Sequence, residues 1–292
     1  MLLLDGRPVR DALLAELAGK IAAAPRAPHL AVVLVGEDPA SLNYVRGKEK
    51  GCAAVGMRQE TFRLPAGVTE TDLLALISRL NGDDSVDGIL VQMPLPAHLA
   101  ATRILQAVDP VKDVDGFHPH NLGLLVSGRP GPVACTPRGV LRLLAQYGVS
   151  IPGRRVTIIG RSVIVGRPLA LLLNLKGDWG DATVTMCHSR TPDLASLTRQ
   201  AEILIAAIGV PEFIRREHVA AGAVVVDVGI NRVPDRNTKS GYRLVGDVAA
   251  AEMQDHAGAL TPVPGGVGPL TIAMLLENTW EAMLRREGQL AI

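Results

Sequence analysis

The sequence predicts an α/β protein built on mainly parallel sheet, and three observations carry that prediction. Short, wholly apolar runs alternate with amphipathic helical patterns from end to end. Aromatic residues make up only 3% of a chain that is 48% hydrophobic, so its cores rest on Ala, Val, Leu and Ile, which suit helices packed on parallel strands. With 292 residues, the chain is long enough for two ordinary domains.

The elements follow in order. Val9 to Ala24 carries apolar residues at helical spacing, and His29 to Val35 is a fully apolar strand ending at Gly36. Ser41 to Val55 reads as a helix with Ser41 as its N-cap, since a serine hydroxyl can accept from the first unpaired backbone N–H groups. Thr69 to Leu80 is a further helix, and Gly88 to Gln92 a further buried strand. The stretch Asp109 to Pro137, rich in Gly, Pro, His and Asp, has polar residues too varied for a flexible spacer and reads as a functional connection. A second alternating series opens with the strand Arg155 to Ile159 and the helix Val165 to Leu175. Strands at Ala182 to Cys187, Ile203 to Ala207 and Ala223 to Val228 continue it. The chain closes on a long amphipathic helix, Leu270 to Arg286, after a Pro/Gly run, Thr261 to Pro269, dense enough to dictate an unusual backbone path.

Charge and cysteine usage narrow the function classes. The formal net charge is +1 with no long run of one sign, which argues against nucleic acid or a membrane surface as partner. No apolar stretch reaches membrane-spanning length. Asp5 and Arg7 cut short the apolar run Met1 to Leu4, which is not the pattern of a signal peptide. Cys52, Cys135 and Cys187 are too scattered for a zinc pattern or a disulfide framework and point to a reducing cytoplasm.

The strand Arg155–Ile159 runs through Gly160, Arg161 and Ser162 to Gly166 and Pro168, then into a helix. A strand, a glycine turn and a helix N-terminus can cradle a pyrophosphate on backbone N–H groups. The spacing departs from Gly-x-Gly-x-x-Gly, so an ordinary βα turn stays open as the alternative. The next strand ends in Cys187-His188-Ser189-Arg190-Thr191, without the acid that usually holds a ribose 2′-hydroxyl. Ser189 and Arg190, with Arg161, would instead receive a 2′-phosphate, which favours NADP over NAD.

Ser41, Tyr44 and Lys48 stand at i, i+3 and i+7, on one helical face. That helix follows the carboxyl end of an apolar strand, where α/β ligand sites form, and Gln92 ends the next buried strand. In a partly desolvated cleft Lys48 would lose proton affinity and become usable as an acid or base; a solvated helix lysine is the bland alternative. Between Lys112 and Asn121 lie Asp113, Asp115, His118 and His120. Their spacing fits neither a zinc nor a calcium loop, so no metal is expected. One carboxylate accepting from a ligand competes there with a self-bonded Asx turn.

Seven motifs in order then identify a resemblance. They are Ser41-x-x-Tyr44-Val45-x-x-Lys48-x-Lys50, Val91-Gln92-Met93-Pro94-Leu95-Pro96, Lys112-Asp113-Val114-Asp115-Gly116-Phe117-His118-Pro119, Cys135-Thr136-Pro137-x-Gly139, Gly160-Arg161-Ser162-x-x-Val165-Gly166-x-Pro168, Asp227-Val228-Gly229-Ile230-Asn231, and Thr261 to Pro269. Over nearly its whole length the chain resembles the bifunctional methylenetetrahydrofolate dehydrogenase/methenyltetrahydrofolate cyclohydrolase family. The resemblance implies two α/β domains around a cleft: a catalytic folate-binding domain over residues 1–138 plus 270–292, and a Rossmann NADP-binding domain over 139–269. It implies tetrahydrofolate derivatives as substrates, NADP as cofactor and a homodimer. It assigns Lys48 as general acid/base of hydrolysis, Gln92 as the group that orients it, Asp115 as the anchor of the pterin edge, and Tyr44 as the ring that packs along the folate. Pro264, Gly265, Gly268 and Pro269 would line the folate side, while Gly160, Arg161, Ser162, Ser189 and Ile230 would contact the cofactor. The departures are Met93 for a common Leu, His120 for a common Tyr, and an insertion at Lys176 to Asp181, expected as a surface loop. Two readings compete with the bifunctional enzyme: a dehydrogenase without the hydrolytic step, and a non-catalytic NADP- or folate-binding module.

Overall fold

The computed structural model describes residues 1–129, 131–238 and 241–290, with only the backbone of residue 40. In chain order the elements begin with β1 (Leu2–Leu3), α1 (Gly6–Ala22), β2 (His29–Val35), α2 (Pro39–Val55), β3 (Arg58–Leu64), α3 (Glu70–Gly82) and β4 (Gly88–Val91). Next come α4 (Ala101–Gln106), α5 (Pro119–Val126), α6 (Cys135–Gln146), β5 (Arg155–Ile159), α7 (Gly166–Asn174), β6 (Thr183–Cys187) and α8 (Leu194–Thr198). The rest are β7 (Ile203–Ala206), β8 (Val224–Asp227), β9 (Asn231–Pro234), β10 (Tyr242–Val245), β11 (Ala259–Leu260) and α9 (Gly268–Arg286). The chain forms two compact units: a first of Asp11–Cys135 with Ile272–Ile292, and a second of Met1–Arg10 with Thr136–Thr271.

The first unit is built on a parallel sheet of order β3-β2-β4. All seven residues of the central β2 are buried, as a strand covered on both faces requires. Its alternation sorts the core. Leu30, Val32 and Leu34 face α2 and α9, through Val45, Cys52, Met274 and Leu276. Ala31, Val33 and Val35 face α3 and α4, through Leu73, Ile77 and Ile104. Gly47 and Gly51 let α2 approach α9 closely, since a Cβ on either would press on Ile272 at 3.0–3.1 Å. The edge strand β3 falls outside the sequence reading. Its run Arg-Gln-Glu-Thr-Phe-Arg-Leu is half-exposed, so it lacks the apolar run that revealed β2 and β4.

The second unit is a parallel sheet of order β1-β11-β8-β7-β5-β6, with β9 and β10 as a separate antiparallel pair. Met1–Arg10 belongs here, although the sequence boundary gave it to the other domain. Leu2 and Leu3 pair with Ala259 and Leu260, and Gly6 N donates to Gly265 O at 2.8 Å. Those short strands carry too few residues to show a period. The insertion after α7 is a compact turn: Asp181 N donates to Leu175 O at 2.7 Å, and Arg142 stacks over Trp179 at 5.2 Å.

Candidate active site

In the first unit the sequence places the lysine by helix capping and the glutamine by strand termination. Asp38, not Ser41, caps α2: its side chain accepts from Ser41 N at 2.8 Å, with Pro39 in the first turn. Pro39 fixes the helix start earlier than expected and leaves Ser41 inside the helix, buried, its hydroxyl without a hydrogen-bond partner among the described residues. Ser41, Val45, Lys48 and Cys52 share the inner face, with Tyr44 at its edge, 55% exposed. Gln92 continues β4 by donating its N–H to Val33 O at 2.9 Å. Lys48 Nζ donates to Gln92 Oε1 at 2.7 Å, and Gln92 Nε2 donates to Met93 O at 2.6 Å. The second bond fixes which end of the amide meets the lysine. Burial holds the Lys48 pKa below the ordinary lysine value of 10.5, with Asp115, Cys135 and Cys52 opposing the shift. Burial also drives Cys52, one turn on, up to about 12, so its thiol stays protonated and unreactive near neutrality.

The two carboxylates of the central segment have opposite fates. Asp113 forms the self-bonded turn. Its carboxylate accepts from Gly116 N at 3.1 Å, His118 N at 2.8 Å and Asn121 Nδ2 at 2.9 Å. His118 caps α5 by accepting from His120 N at 3.0 Å, and buried Lys112 donates to the carbonyls of Leu80, Asn81 and Asp83 at the end of α3. Asp115 is half-buried and its carboxylate has no hydrogen-bond partner among the described residues. Burial pushes its pKa up to about 6; Lys48 pulls it back and Asp113 adds to the rise. Asn278, buried in α9, was missed by sequence reasoning. Its amide donates to Val114 O at 2.7 Å and Val133 O at 2.8 Å, which pins the backbone before Asp115. Gly116 completes the fit, since a Cβ there would lie 2.5 Å from the Ala134 nitrogen.

In the second unit the glycine turn after β5 lines a cavity of 510 Å³ with Arg161, Ser162, His188, Ser189, Ala207, Ile208 and Phe213. Gly160 has φ +124°, and a Cβ there would run into the Ala207 carbonyl oxygen; one at Gly166 would run into that of Gly160. Backbone is therefore packed on backbone where the chain turns into α7. Among the described residues no carboxylate lines the cavity. Ile230 lies outside its lining but is 48% exposed and packs beside Gly268. The run Thr261 to Pro269 follows the expected unusual path, with a cis bond at Val263–Pro264 and Gly265 at φ +117°. By its contacts this run, with Pro264, Gly265, Gly268 and Pro269, belongs to the second unit, whereas Tyr44, Lys48, Gln92 and Asp115 belong to the first.

Residues 4–115 match the tetrahydrofolate dehydrogenase/cyclohydrolase catalytic domain, and residues 134–287 match the NAD(P)-binding domain of the same family. The bifunctional protein FolD of Acidiphilium cryptum is 57% identical over 283 residues, spanning 97% of this chain and 98% of its own. The chain belongs to the tetrahydrofolate dehydrogenase/cyclohydrolase family. The similarity extends to solved folds of that family. The bifunctional FolD methylenetetrahydrofolate dehydrogenase/cyclohydrolase of Campylobacter jejuni superposes with a TM-score of 0.91 at 46% identity, over 98% of this chain and 99% of the other. The Trypanosoma brucei methylenetetrahydrofolate dehydrogenase-cyclohydrolase, solved with NADP cofactor and an inhibitor, gives 0.91 at 40% identity over 98% of both chains. The two α/β units and the parallel, Rossmann-like sheet of the second are thus those of the tetrahydrofolate dehydrogenase/cyclohydrolase family.

Proposed function

We propose that this chain oxidises 5,10-methylenetetrahydrofolate with NADP and hydrolyses the 5,10-methenyl product to 10-formyltetrahydrofolate. The Lys48–Gln92 pair, at 2.7 Å, carries the reading. It is a lysine of lowered proton affinity, held by an amide, in the same unit as a carboxylate, Asp115, that has no hydrogen-bond partner among the described residues.

The methenyl group is a cation, so an ammonium beside it is repelled and Lys48 is pushed further toward its neutral form. Neutral Lys48 takes a proton from water as the oxygen bonds to the methenyl carbon and returns it to the ring nitrogen as the carbon–nitrogen bond opens, while the remaining hydroxyl proton is released to solvent as the formyl carbonyl forms. Gln92 Oε1 keeps Nζ directed at one place throughout. Ionised Asp115 accepts from the amino-pyrimidinone edge of the pterin, and the exposed ring of Tyr44 packs along the folate. Pro264, Gly265, Gly268 and Pro269 supply the folate-side loop.

The chemistry NADP supplies when bound is acceptance of a hydride at the nicotinamide ring. Gly160, Arg161, Ser162 and Ser189 hold the dinucleotide, with Ile230 beside it. The glycine cradle and a lining without carboxylate fit a phosphate-bearing ligand. Hydride transfer needs no proton-transfer group on the protein, only two rings held face to face. The enzyme acts in the cytoplasm as a homodimer. Sedimentation equilibrium at micromolar concentration should give twice the chain mass, and a single-chain mass would refute the dimer.

One assay tests the whole reading. Methylenetetrahydrofolate is supplied with NADP and, in parallel, with NAD, while NADPH formation and loss of the methenyl chromophore are followed at separate wavelengths. Both signals should appear. We expect kcat/KM to favour NADP by about tenfold or more, the scale of one charge-assisted contact to the 2′-phosphate. Equal efficiency with NAD would remove Arg161 and Ser189 from that role.

A further inference from the structure

Two buried aspartates behind the cofactor cavity take no part in the mechanism above. Asp227 ends β8 and Asp247 follows β10; they are 3% and 0% exposed. Asp227 accepts from Asp247 N, Val248 N and Gly229 N, each at 2.9 Å, and so fixes the backbone that carries Asp247. The Asp247 carboxylate then accepts from Ile208 N at 2.6 Å and Gly209 N at 2.9 Å through one oxygen, and from Asn231 Nδ2 at 2.9 Å through the other. Ile208 lines the cavity, as do its neighbours Ala207 and Val210. Asn231 follows Ile230. Gly209 is left-handed, with φ +75°. Two successive N–H groups in such a turn form a concave nest that selects an anion, and here the anion is the protein's own side chain. Gly229 leaves room for it, because a Cβ there would strike the Asp247 carboxylate.

We propose that Asp247 is a positioning residue for the dinucleotide. Its carboxylate holds the Ile208–Gly209 turn, of which Ile208 lines the cavity, in register with the Ile230–Asn231 segment. The inference rests on the NADP assignment above. Three donors converge on this carboxylate, and no basic side chain pairs with it among the described residues. Removing it leaves the part-buried Ile208 and Gly209 N–H groups without their acceptor, and the turn must rearrange to recover one.

The test is calorimetric titration of NADP into wild type, Asp247→Ala and Asp247→Asn, with hydrolysis of supplied methenyltetrahydrofolate measured on the same preparations. Hydrolysis moves no electrons and needs no nicotinamide. In Asp247→Ala the NADP Kd should rise about tenfold or more, the scale of lost charge-assisted hydrogen bonds, with hydrolysis within about twofold of wild type. Asp247→Asn keeps one oxygen for the two N–H groups and should fall between. If the alanine variant does not fold, the asparagine variant decides by the same pair of readouts. Wild-type NADP affinity in the folded variants would overturn the proposal, as would hydrolysis falling in step with NADP affinity. Wild-type enzyme that binds NADP without reducing it would instead defeat the functional reading, and leave the titration as the test of Asp247.

Discussion

Lys48→Met should lose hydrolysis of methenyltetrahydrofolate by at least about a hundredfold, the usual contribution of a positioned acid/base group. Hydride transfer should stay within about tenfold of wild type, because it calls on ring alignment and no proton. Methionine matches the apolar stem of lysine and ends one atom short of the amine, so packing beside Val45 and Cys52 on the inner face of α2 is retained. What is lost is the amine and its bond to Gln92 Oε1. Gln92 is only 8% exposed, so some stability goes with that bond, about 1 kcal/mol for a neutral acceptor left without its donor. Measuring both rates on one preparation separates the roles. Wild-type hydrolysis in the variant would remove Lys48 from the reaction.

Asp115→Asn should lower kcat/KM for both folate reactions by about a hundredfold, as expected when a half-buried carboxylate that would accept hydrogen bonds from the bound pterin becomes an amide. The pH dependence follows from the same group. Its carboxyl titrates at about 6, so folate affinity should fall as pH drops through 6 in wild type and lose that step in the variant. Stability runs the other way. A carboxyl whose pKa is raised from 3.8 to about 6 binds its proton more tightly in the folded state, so its ionisation lowers stability as pH rises through that window. Removing the charge should leave Tm at pH 8 equal to or above that of wild type. A lower Tm with unchanged folate KM would make Asp115 a structural residue.

The sequence disclosed what is written locally. The apolar runs of β2 and β5 and the glycine turn after β5 stand in the structure where their residue types require. What it hid depends on partners far away in the chain or on a choice between near-equals. Strand β3 hides because an edge strand with one exposed face can be polar. Asp38 and Ser41 are both sound caps, and Pro39 decides between them by fixing the helix start. Asp113 and Asp115 are identical in kind and two residues apart; only the N–H groups that converge on Asp113 show which carboxylate is engaged within the fold. Asn278 lies 164 positions from Val114, and Asp247 lies 39 from Ile208. No periodicity joins such pairs, so neither clamp has a signal a single sequence could give.

The role of Lys48, a lysine of lowered proton affinity, as the group that drives the hydrolysis is the proposal on which the function turns. Its most direct test is the pH dependence of kcat for methenyltetrahydrofolate hydrolysis in wild type and Lys48→Met, with the spontaneous rate subtracted. In wild type kcat should rise with pH and level off with a midpoint below the ordinary lysine value of 10.5, as Lys48 becomes neutral, and the rise should be absent in the variant. The same rise in Lys48→Met, or a wild-type midpoint at the ordinary lysine value, would contradict it.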